Sequence, residues 1–238
     1  MNRNFAAFSI SRHAFALGAL ALIATCSSYA QDNAMQEKIA AIKQTMAENT
    51  QKLHGYQWVE TTQLTLKGDP KPPSQEMCRY GPDGKVQKTP MTAPPPPPSG
   101  GRMKQRAIEK KKEEMKDYMG EVKALIGMYV PPNPERIERA RQAGKVSLNP
   151  AGGTVNLVFT DYVKPGDQMI LSFDTAAKKI TSLTVNTYMD EPKDAVTLRV
   201  QMASLPDGTN YVQQTILDAT EKKLVATTTN SSYQKLGG

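Results

Sequence analysis

The sequence predicts an α+β protein built on a strongly curved antiparallel sheet, an incomplete barrel. An N-terminal helix and an inserted pair of helices are predicted to pack on its concave face. Two observations favour this class. The C-terminal third alternates apolar and polar residues with period two, as in Val196–Ala203, and turn signals close each run at hairpin spacing. Two other segments have helical periodicity, and their apolar stripes need a sheet or another helix to cover them.

The first 30 residues are typical of an export signal. Arg3 and Arg12 form a basic region, Ala14–Ala24 is apolar, and Ser28–Ala30 offers small residues at the −3 and −1 positions of a cleavage site. Cys26 leaves open a second interpretation, a lipoprotein cleaved just before that cysteine. The apolar stretch is too short to span a bilayer. We therefore expect cleavage near Ala30 and a periplasmic or secreted protein with no membrane span.

The mature part, residues 31–238, is predicted to form a single domain. Residues 1–30 contain two arginines and no acidic residue, so the formal charge falls from +7 to +5 on cleavage. The sequence lacks the basic stripe with interleaved aromatic residues that is typical of nucleic-acid-binding modules. We predict no nucleic-acid partner, and the sequence leaves the oligomeric state open.

The first elements of the mature chain are a helix and three strands. Asn33 is a candidate cap for a helix that ends at Leu53, before the glycine of His54-Gly55. The segment Tyr56–Lys67 alternates as a strand does, with Glu60 interrupting its apolar face. Two shorter strands follow, Gln75–Tyr80 and Lys85–Pro90, joined by the turn signal Gly81-Pro82-Asp83-Gly84.

A helical insert, residues 102–144, follows a Pro- and Gly-rich linker, residues 94–101. Five consecutive prolines, Pro94–Pro98, favour a stiff polyproline stretch; a plain linker and an SH3-type recognition motif are both compatible with it. Arg102–Met128 begins as a highly charged helix and becomes amphipathic. A short second helix has Asn133 as its cap and proline at its first position.

The sheet is predicted to resume after the insert and to continue to the C-terminus. Proline, glycine and aspartate turns separate the runs. The predicted strands lie near Gly153–Tyr162, Gln168–Asp174, Ile180–Tyr188, Ala195–Leu205, Asn210–Asp218 and Lys223–Tyr233.

Little in the mature sequence suggests catalysis. It contains one histidine, His54, and one cysteine, Cys78, which argues against a zinc site built from His and Cys and against most catalytic triads. A helix-terminal role for His54 and a buried strand position for Cys78 are the simpler interpretations. The carboxylates mostly fall in turns, where aspartate is common for backbone reasons. We predict a non-enzymatic protein without a cofactor or a metal site.

The apolar residues offer a different function. The mature chain contains eleven methionines, flexible side chains that fill an ordinary core or line a surface for acyl chains. The insert lies between proline- and glycine-rich joints, which suit a movable lid or a rigid plug. The predicted cavity-lining residues are Trp58, Leu64, Met115, Met119, Leu125, Leu157, Phe159, Leu198 and Val200.

The order of these elements resembles the periplasmic lipoprotein carrier family, the LolA/LolB/RseB-like fold. The resemblance is architectural and covers about Asn33–Tyr233, including Tyr56–Thr62 after the first helix and Arg79–Lys85 at the first hairpin. Proteins of this family fold an incomplete barrel around helices and leave an apolar cavity for acyl chains or a sensing surface. The resemblance implies an envelope protein that binds a lipid, an acylated protein or an apolar segment.

Three functional interpretations follow from the sequence. The first is a non-enzymatic carrier or binding protein for a hydrophobic ligand. The second is an interaction or structural module whose sheet is fully plugged and whose function lies on its outer face or along Pro94–Pro98. The third is an enzyme, and it depends on His54 or Cys78. A continuous apolar cavity between sheet and helices distinguishes the first from the second.

Overall fold

The computed structural model describes residues 36–37, 39–91 and 102–237. The predicted signal segment and the proline run Pro94–Pro98 lie outside the described residues. The helices are α1 (39–53), α2 (Arg102–Gly127) and α3 (Pro134–Gln142). The strands are β1 (Tyr56–Leu66), β2 (Asp69–Pro70), β3 (Ser74–Tyr80), β4 (Val86–Pro90), β5 (Val146–Ala151), β6 (Thr154–Thr160), β7 (Gln168–Asp174), β8 (Lys179–Tyr188), β9 (Ala195–Ser204), β10 (Asn210–Ala219) and β11 (Leu224–Lys235).

These strands form one antiparallel sheet of eleven strands that is not closed into a barrel. Its order is β4-β3-β1-β11-β10-β9-β8-β7-β6-β5, and β2 pairs with β1. The C-terminal meander is therefore completed by strands that precede the helices, because β1 pairs with β11 over nearly its whole length. The predicted fold class is confirmed. A boundary between two compact units falls between Ala41 and Ile42, and the sheet, α2, α3 and residues 42–53 of α1 belong to the second unit.

The turns form where the sequence predicted them. Gly84 and Gly208 have φ values of 71° and 81°, which side chains with a Cβ adopt only with strain. In the β9–β10 turn, Asp207 accepts a hydrogen bond from the backbone N–H of Thr209 at 3.0 Å. The sequence prediction missed β5, whose polar residues and proline resemble a loop. It pairs with β6 across Gly152 and Gly153, both at positive φ.

One face of the sheet, here called the inner face, forms the core. Cross-strand partners in an antiparallel sheet share a face, so the pairing defines a row across seven strands. That row consists of Leu64, Ala226, Leu217, Leu198, Val185, Met169 and Phe159. A neighbouring row is apolar only between β6 and β9 and continues as threonine on β10, β11 and β1. It consists of Leu157, Leu171, Leu183, Val200, Thr215, Thr228 and Thr62.

Helix α2 passes the strand ends on one side of the sheet and is joined to them by tyrosines. The hydroxyl of Tyr118 lies 3.5 Å from Asp194, before β9. The hydroxyl of Tyr129, just after α2, contacts Thr187 of β8 at 2.8 Å. Helix α3 begins as predicted: Asn133 accepts hydrogen bonds from the N–H groups of residues 135 and 136. No helix within the described ranges is long and apolar enough to cross a membrane.

Candidate functional site

An apolar pocket of about 200 Å³ lies between α1, the α2–α3 loop and the inner face of the sheet. Its lining is mostly aliphatic, with two asparagines and a threonine at the helix and the turn. The residues that line it are Met46, Asn49, Thr50 and Leu53 of α1, Val130, Pro131 and Pro132 of the loop, and Leu171, Ile180, Leu183, Val200, Met202, Asn210 and Val212 of the sheet. We refer to it as the apolar pocket.

The helical wall of the apolar pocket is held by amides. The side-chain oxygen of Asn49 accepts a hydrogen bond from the backbone N–H of Asn210 at 2.9 Å. The side chain of Asn210 is buried and donates in turn to the carbonyl of Ile180 at 2.8 Å. Thr45 donates to the carbonyl of Lys178 at 3.2 Å. Residues 45–49 of α1 are therefore tied to both the β7–β8 and the β9–β10 turns, and the helix does not rest on apolar contact alone.

The loop wall of the apolar pocket is anchored by Tyr129, which is fully buried. Its hydroxyl donates to the carboxylate of Asp167 at 2.5 Å. Asp167, 2% exposed, also accepts from the backbone N–H groups of Val163 at 2.9 Å and Lys164 at 2.8 Å. Burial first, and the neighbouring carboxylate second, raise the pKa of Tyr129. The sequence left open whether the α2–α3 joint is a hinge or part of a rigid plug. In the structure, the hydrogen bond from Tyr129 to the buried Asp167 holds this joint against the sheet.

The nine residues predicted to line a cavity fall into different surroundings. Val200 is in the described lining of the apolar pocket, and Met115 lines a second cavity of about 430 Å³ beside Leu66 and Lys222. Six of the nine are buried, and these are Trp58, Leu125, Leu157, Phe159, Leu198 and Val200. Leu64 and Met119 are half-buried. The role of this set in ligand binding stays a prediction.

The other residues of the apolar pocket are not among the nine predicted cavity-lining residues. Met46 and Leu53 belong to the apolar stripe of α1, and Met202 belongs to the alternating face of β9, so both patterns were visible. Which part of the inner face meets α1 depends on where the helix docks. The contact of Asn49 with Asn210 fixes the docking position of α1, and no local sequence pattern predicts this contact.

Beyond the apolar pocket, the inner face of β1, β3 and β4 becomes charged. Glu60 lies on the same face as Trp58, and its side chain is only 15% exposed. Lys88 on β4 forms an ion pair with Glu60 and a second with Glu76 at 3.5 Å. Burial lowers the pKa of Lys88, but the two carboxylates outweigh it and the pKa is raised. Three charged side chains are thus gathered on a face that elsewhere is apolar.

Aromatic rings surround these charges. Trp58 stacks on Tyr233 with ring centroids 5.5 Å apart and an interplanar angle of 12°, and Tyr80 approaches Trp58 at 5.6 Å. Tyr211 reaches the other side of Tyr233 at 4.5 Å. Burial is the main cause that raises the pKa of Tyr233 and of Tyr80. Together with Glu60, Glu76 and Lys88, this group is called the polar patch below.

The two candidate catalytic residues, Cys78 and His54, lie in different surroundings. Cys78 is fully buried, as predicted, and burial, followed by the charge of Glu60, raises the pKa of its thiol to about 11. His54 is exposed, with its ring 4.4 Å from that of Tyr80. Among the described residues, no cluster of three His, Cys, Asp or Glu side chains is placed to hold a metal ion.

A carboxylate pair lies apart from both regions, at the end of the sheet that α2 passes. Asp194 is 7% exposed. Burial, and then the nearby carboxylate of Glu221, raise its pKa, while the pKa of Glu221 is lowered. Burial and Asp194 raise the pKa of Tyr118 to about 12. Tyr118 faces Asp194, the carboxylate of the pair whose pKa is raised, and this contact joins α2 to the sheet.

Comparison with solved structures gives a remote likeness. No family model and no curated protein matches the chain. Among solved structures, it is similar to a DUF1329 family protein from Desulfovibrio piger, with 8% sequence identity and a TM-score of 0.41. The match covers 85% of this chain and 93% of that protein. Similarity at this level carries no argument about activity.

Proposed function

We propose that this protein is an exported, non-enzymatic envelope protein that binds a hydrophobic ligand, a single acyl chain, in the apolar pocket. The observation that supports the proposal is the pocket itself. Aliphatic side chains from a helix, a loop and strands β7 to β10 converge on one space, and two methionines are among them. Convergence of apolar groups with a few polar groups at the margin is typical of ligand sites.

The size of the pocket limits the ligand. Pockets for drug-sized molecules measure about 300–1,000 Å³, and this one is about 200 Å³. One short acyl chain, or the end of a longer one, fits this volume better than a ligand with several chains. The resemblance to periplasmic lipoprotein carriers agrees with such cargo, and the export signal suggested by residues 1–30 agrees with an envelope location.

The proposal is tested by looking for the ligand and by filling the pocket. Protein purified from its own envelope and extracted with organic solvent is expected to yield about one acyl ligand per chain by mass spectrometry. Val212→Phe adds bulk to the pocket lining and is expected to weaken binding of decyl-chain probes at least tenfold, by occlusion. Val225→Phe is the matched control, because Val225 is a half-buried valine of β11 on the opposite face.

Two results would remove the basis of this proposal. One is the absence of any co-purified ligand combined with no binding of decyl-chain probes by calorimetry. The other is equal weakening by Val212→Phe and Val225→Phe, because it indicates a general effect on folding. Thermal unfolding of both variants accompanies the binding data for this reason.

A second candidate, an interaction module with a plugged sheet, is favoured by the packing of the inner face between β6 and β9. Leu157, Phe159 and Leu198 are each at most 4% exposed, so the inner face around these three side chains is filled. In this case residues 93–101 carry the function, and their deletion abolishes capture of a partner while thermal unfolding is unchanged. Capture that survives the deletion counts against the module.

A further inference from the structure

Two side chains of the inner face bury a polar atom that lacks a hydrogen-bond partner within the described part of the chain. They are the indole Nε1 of Trp58, a donor, and the amide Oδ1 of Asn230, an acceptor. Trp58 is 6% exposed. The orientation of the Asn230 amide follows from its Nδ2, which donates to the carbonyl of Val212 at 2.9 Å. Unpaired buried polar atoms are rare and costly in native proteins, so a pair of them needs an explanation.

The donor and the acceptor belong to the same neighbourhood. Asn230 of β11 lies directly opposite Glu60 of β1, and directly opposed residues share a face. Trp58 precedes Glu60 by two residues on β1, so it also projects from that face. Trp58, Glu60 and Asn230 therefore project from one face of the sheet, and this area contains both an unused N–H and an unused carbonyl oxygen.

The charge of this area disfavours an anion. Glu60 and Glu76 supply two negative charges and Lys88 one positive charge, all joined in the ion pairs described above. The raised pKa of the Cys78 thiol agrees with this sign, since Glu60 contributes to it after burial. A carboxylate or phosphate placed beside Glu60 meets like charge at low dielectric.

The same area borders the apolar pocket at Val212. The carbonyl of Val212 accepts the hydrogen bond from Asn230, and the side chain of Val212 lines the pocket. Asn230 is therefore hydrogen-bonded to a residue of the pocket lining. Thus the apolar and polar regions meet at one residue.

We propose that the polar patch holds an uncharged head group, an ester or amide with a hydroxyl or N–H donor, between Trp58 Nε1 and Asn230 Oδ1. This inference rests on the proposed function, because it requires the acyl chain to occupy the apolar pocket. It narrows the ligand class to neutral acyl compounds such as monoacylglycerols or N-acyl amides, and it excludes free fatty acids as the preferred ligand.

Two probes with one chain length test the head group. Monodecanoylglycerol is neutral and offers both hydrogen-bonding functions, whereas decanoate is an anion. Below the micellar range, calorimetry is expected to give at least tenfold tighter binding of monodecanoylglycerol, from the added hydrogen bonds and the repulsion by Glu60. Trp58 is the single tryptophan of the chain, and its emission is expected to shift with monodecanoylglycerol.

Variants assign the effect to the named atoms. Trp58→Phe keeps an aromatic ring but removes Nε1. It is expected to weaken the binding of monodecanoylglycerol about five- to tenfold, because one neutral hydrogen bond is lost. Tyr56→Phe is the matched control on β1, because the Tyr56 hydroxyl already donates to Asp207 at 2.5 Å. Glu60→Gln is expected to strengthen decanoate binding about threefold or more by removing like charge.

The outcomes separate the two proposals. If neither probe binds, the proposed function itself is wrong. If both probes bind with equal affinity, or if Trp58→Phe and Tyr56→Phe behave alike, the pocket binds acyl chains but the head-group assignment is wrong. Tighter binding of decanoate than of monodecanoylglycerol contradicts the assignment in the same way. Thermal unfolding of each variant excludes loss of folding as the cause.

Discussion

The inner face of the sheet has two halves that differ in kind. Between β6 and β9 it is aliphatic and aromatic, and it is closed beneath the Tyr129 anchor. On β1, β3 and β4 the same face carries Glu60, Glu76 and Lys88 within a ring of tyrosines and one tryptophan. The apolar pocket is lined by strands β7 to β10, and the polar patch lies beyond it. The first half is packed as core, whereas under the proposed function the second half offers polar groups to a ligand, and the following substitutions test this division.

The largest expected effect is loss of packing in the closed half. Leu198 and Leu64 occupy the same cross-strand row, but Leu198 is 4% exposed and Leu64 is half-buried. Leu198→Ala is expected to lower the free energy of unfolding by about 3 kcal/mol and Leu64→Ala by about 1 kcal/mol, because the cavity term requires a closed site. Urea denaturation measures both. Equal losses would contradict the division.

The next effect concerns Cys78, which lies beneath the polar patch. Burial raises the pKa of its thiol from 9.0 to about 11, so the reactive thiolate at pH 8 is about a hundredfold scarcer than for an ordinary cysteine. Labelling by a thiol reagent at pH 8 is expected to be at least about a hundredfold slower in the native protein than in urea. Rapid native labelling would mean that the base of the polar patch opens to solvent.

A smaller effect is expected at the Tyr129 anchor. Tyr129→Phe removes a donor from the buried carboxylate of Asp167 and is expected to cost about 2 kcal/mol of unfolding free energy. Tyr188→Phe is the control, because that hydroxyl donates to the carbonyl of Pro165 at 2.7 Å in an exposed position, and it is expected to cost under about 0.5 kcal/mol. Similar losses in chemical denaturation would show that the joint is not an anchor.

The smallest effect is electrostatic and lies at the turn beside β1. The Tyr56 hydroxyl, followed by Thr209, holds the pKa of Asp207 below its ordinary value. A lowered carboxyl pKa contributes stability that is present above about pH 4 and is lost as the pH falls through the folded-state pKa. The melting temperature of Tyr56→Phe is therefore expected to lie below that of the unmutated protein at pH 6, and the difference should shrink by pH 2. A difference that is constant with pH would assign it to packing.

Several elements could be read directly from the sequence. The β3–β4 turn and the start of α3 follow from Gly84 and Asn133, because the chemistry of a turn or a cap acts within a few residues. Period-two alternation placed Leu157, Leu198 and Val200 on one face, and the register confirms it. The alternation in Tyr56–Lys67 also showed that Glu60 interrupts an apolar face, but it predicted no ion-pair partner for Glu60. It missed β5, since serine, asparagine and proline weaken the alternation there.

The sequence by itself determined most of the strands, the turns, the helical insert and the alternation of faces, because each of these depends on neighbours along the chain. Only the tertiary structure decided what each part of the inner face meets. Lys88 is 28 residues from Glu60 and Asn210 is 161 residues from Asn49, and such pairings depend on how the whole sheet is assembled. A closed core and a ligand pocket have the same alternating pattern, so their distinction requires the position of α1 and the Tyr129 anchor.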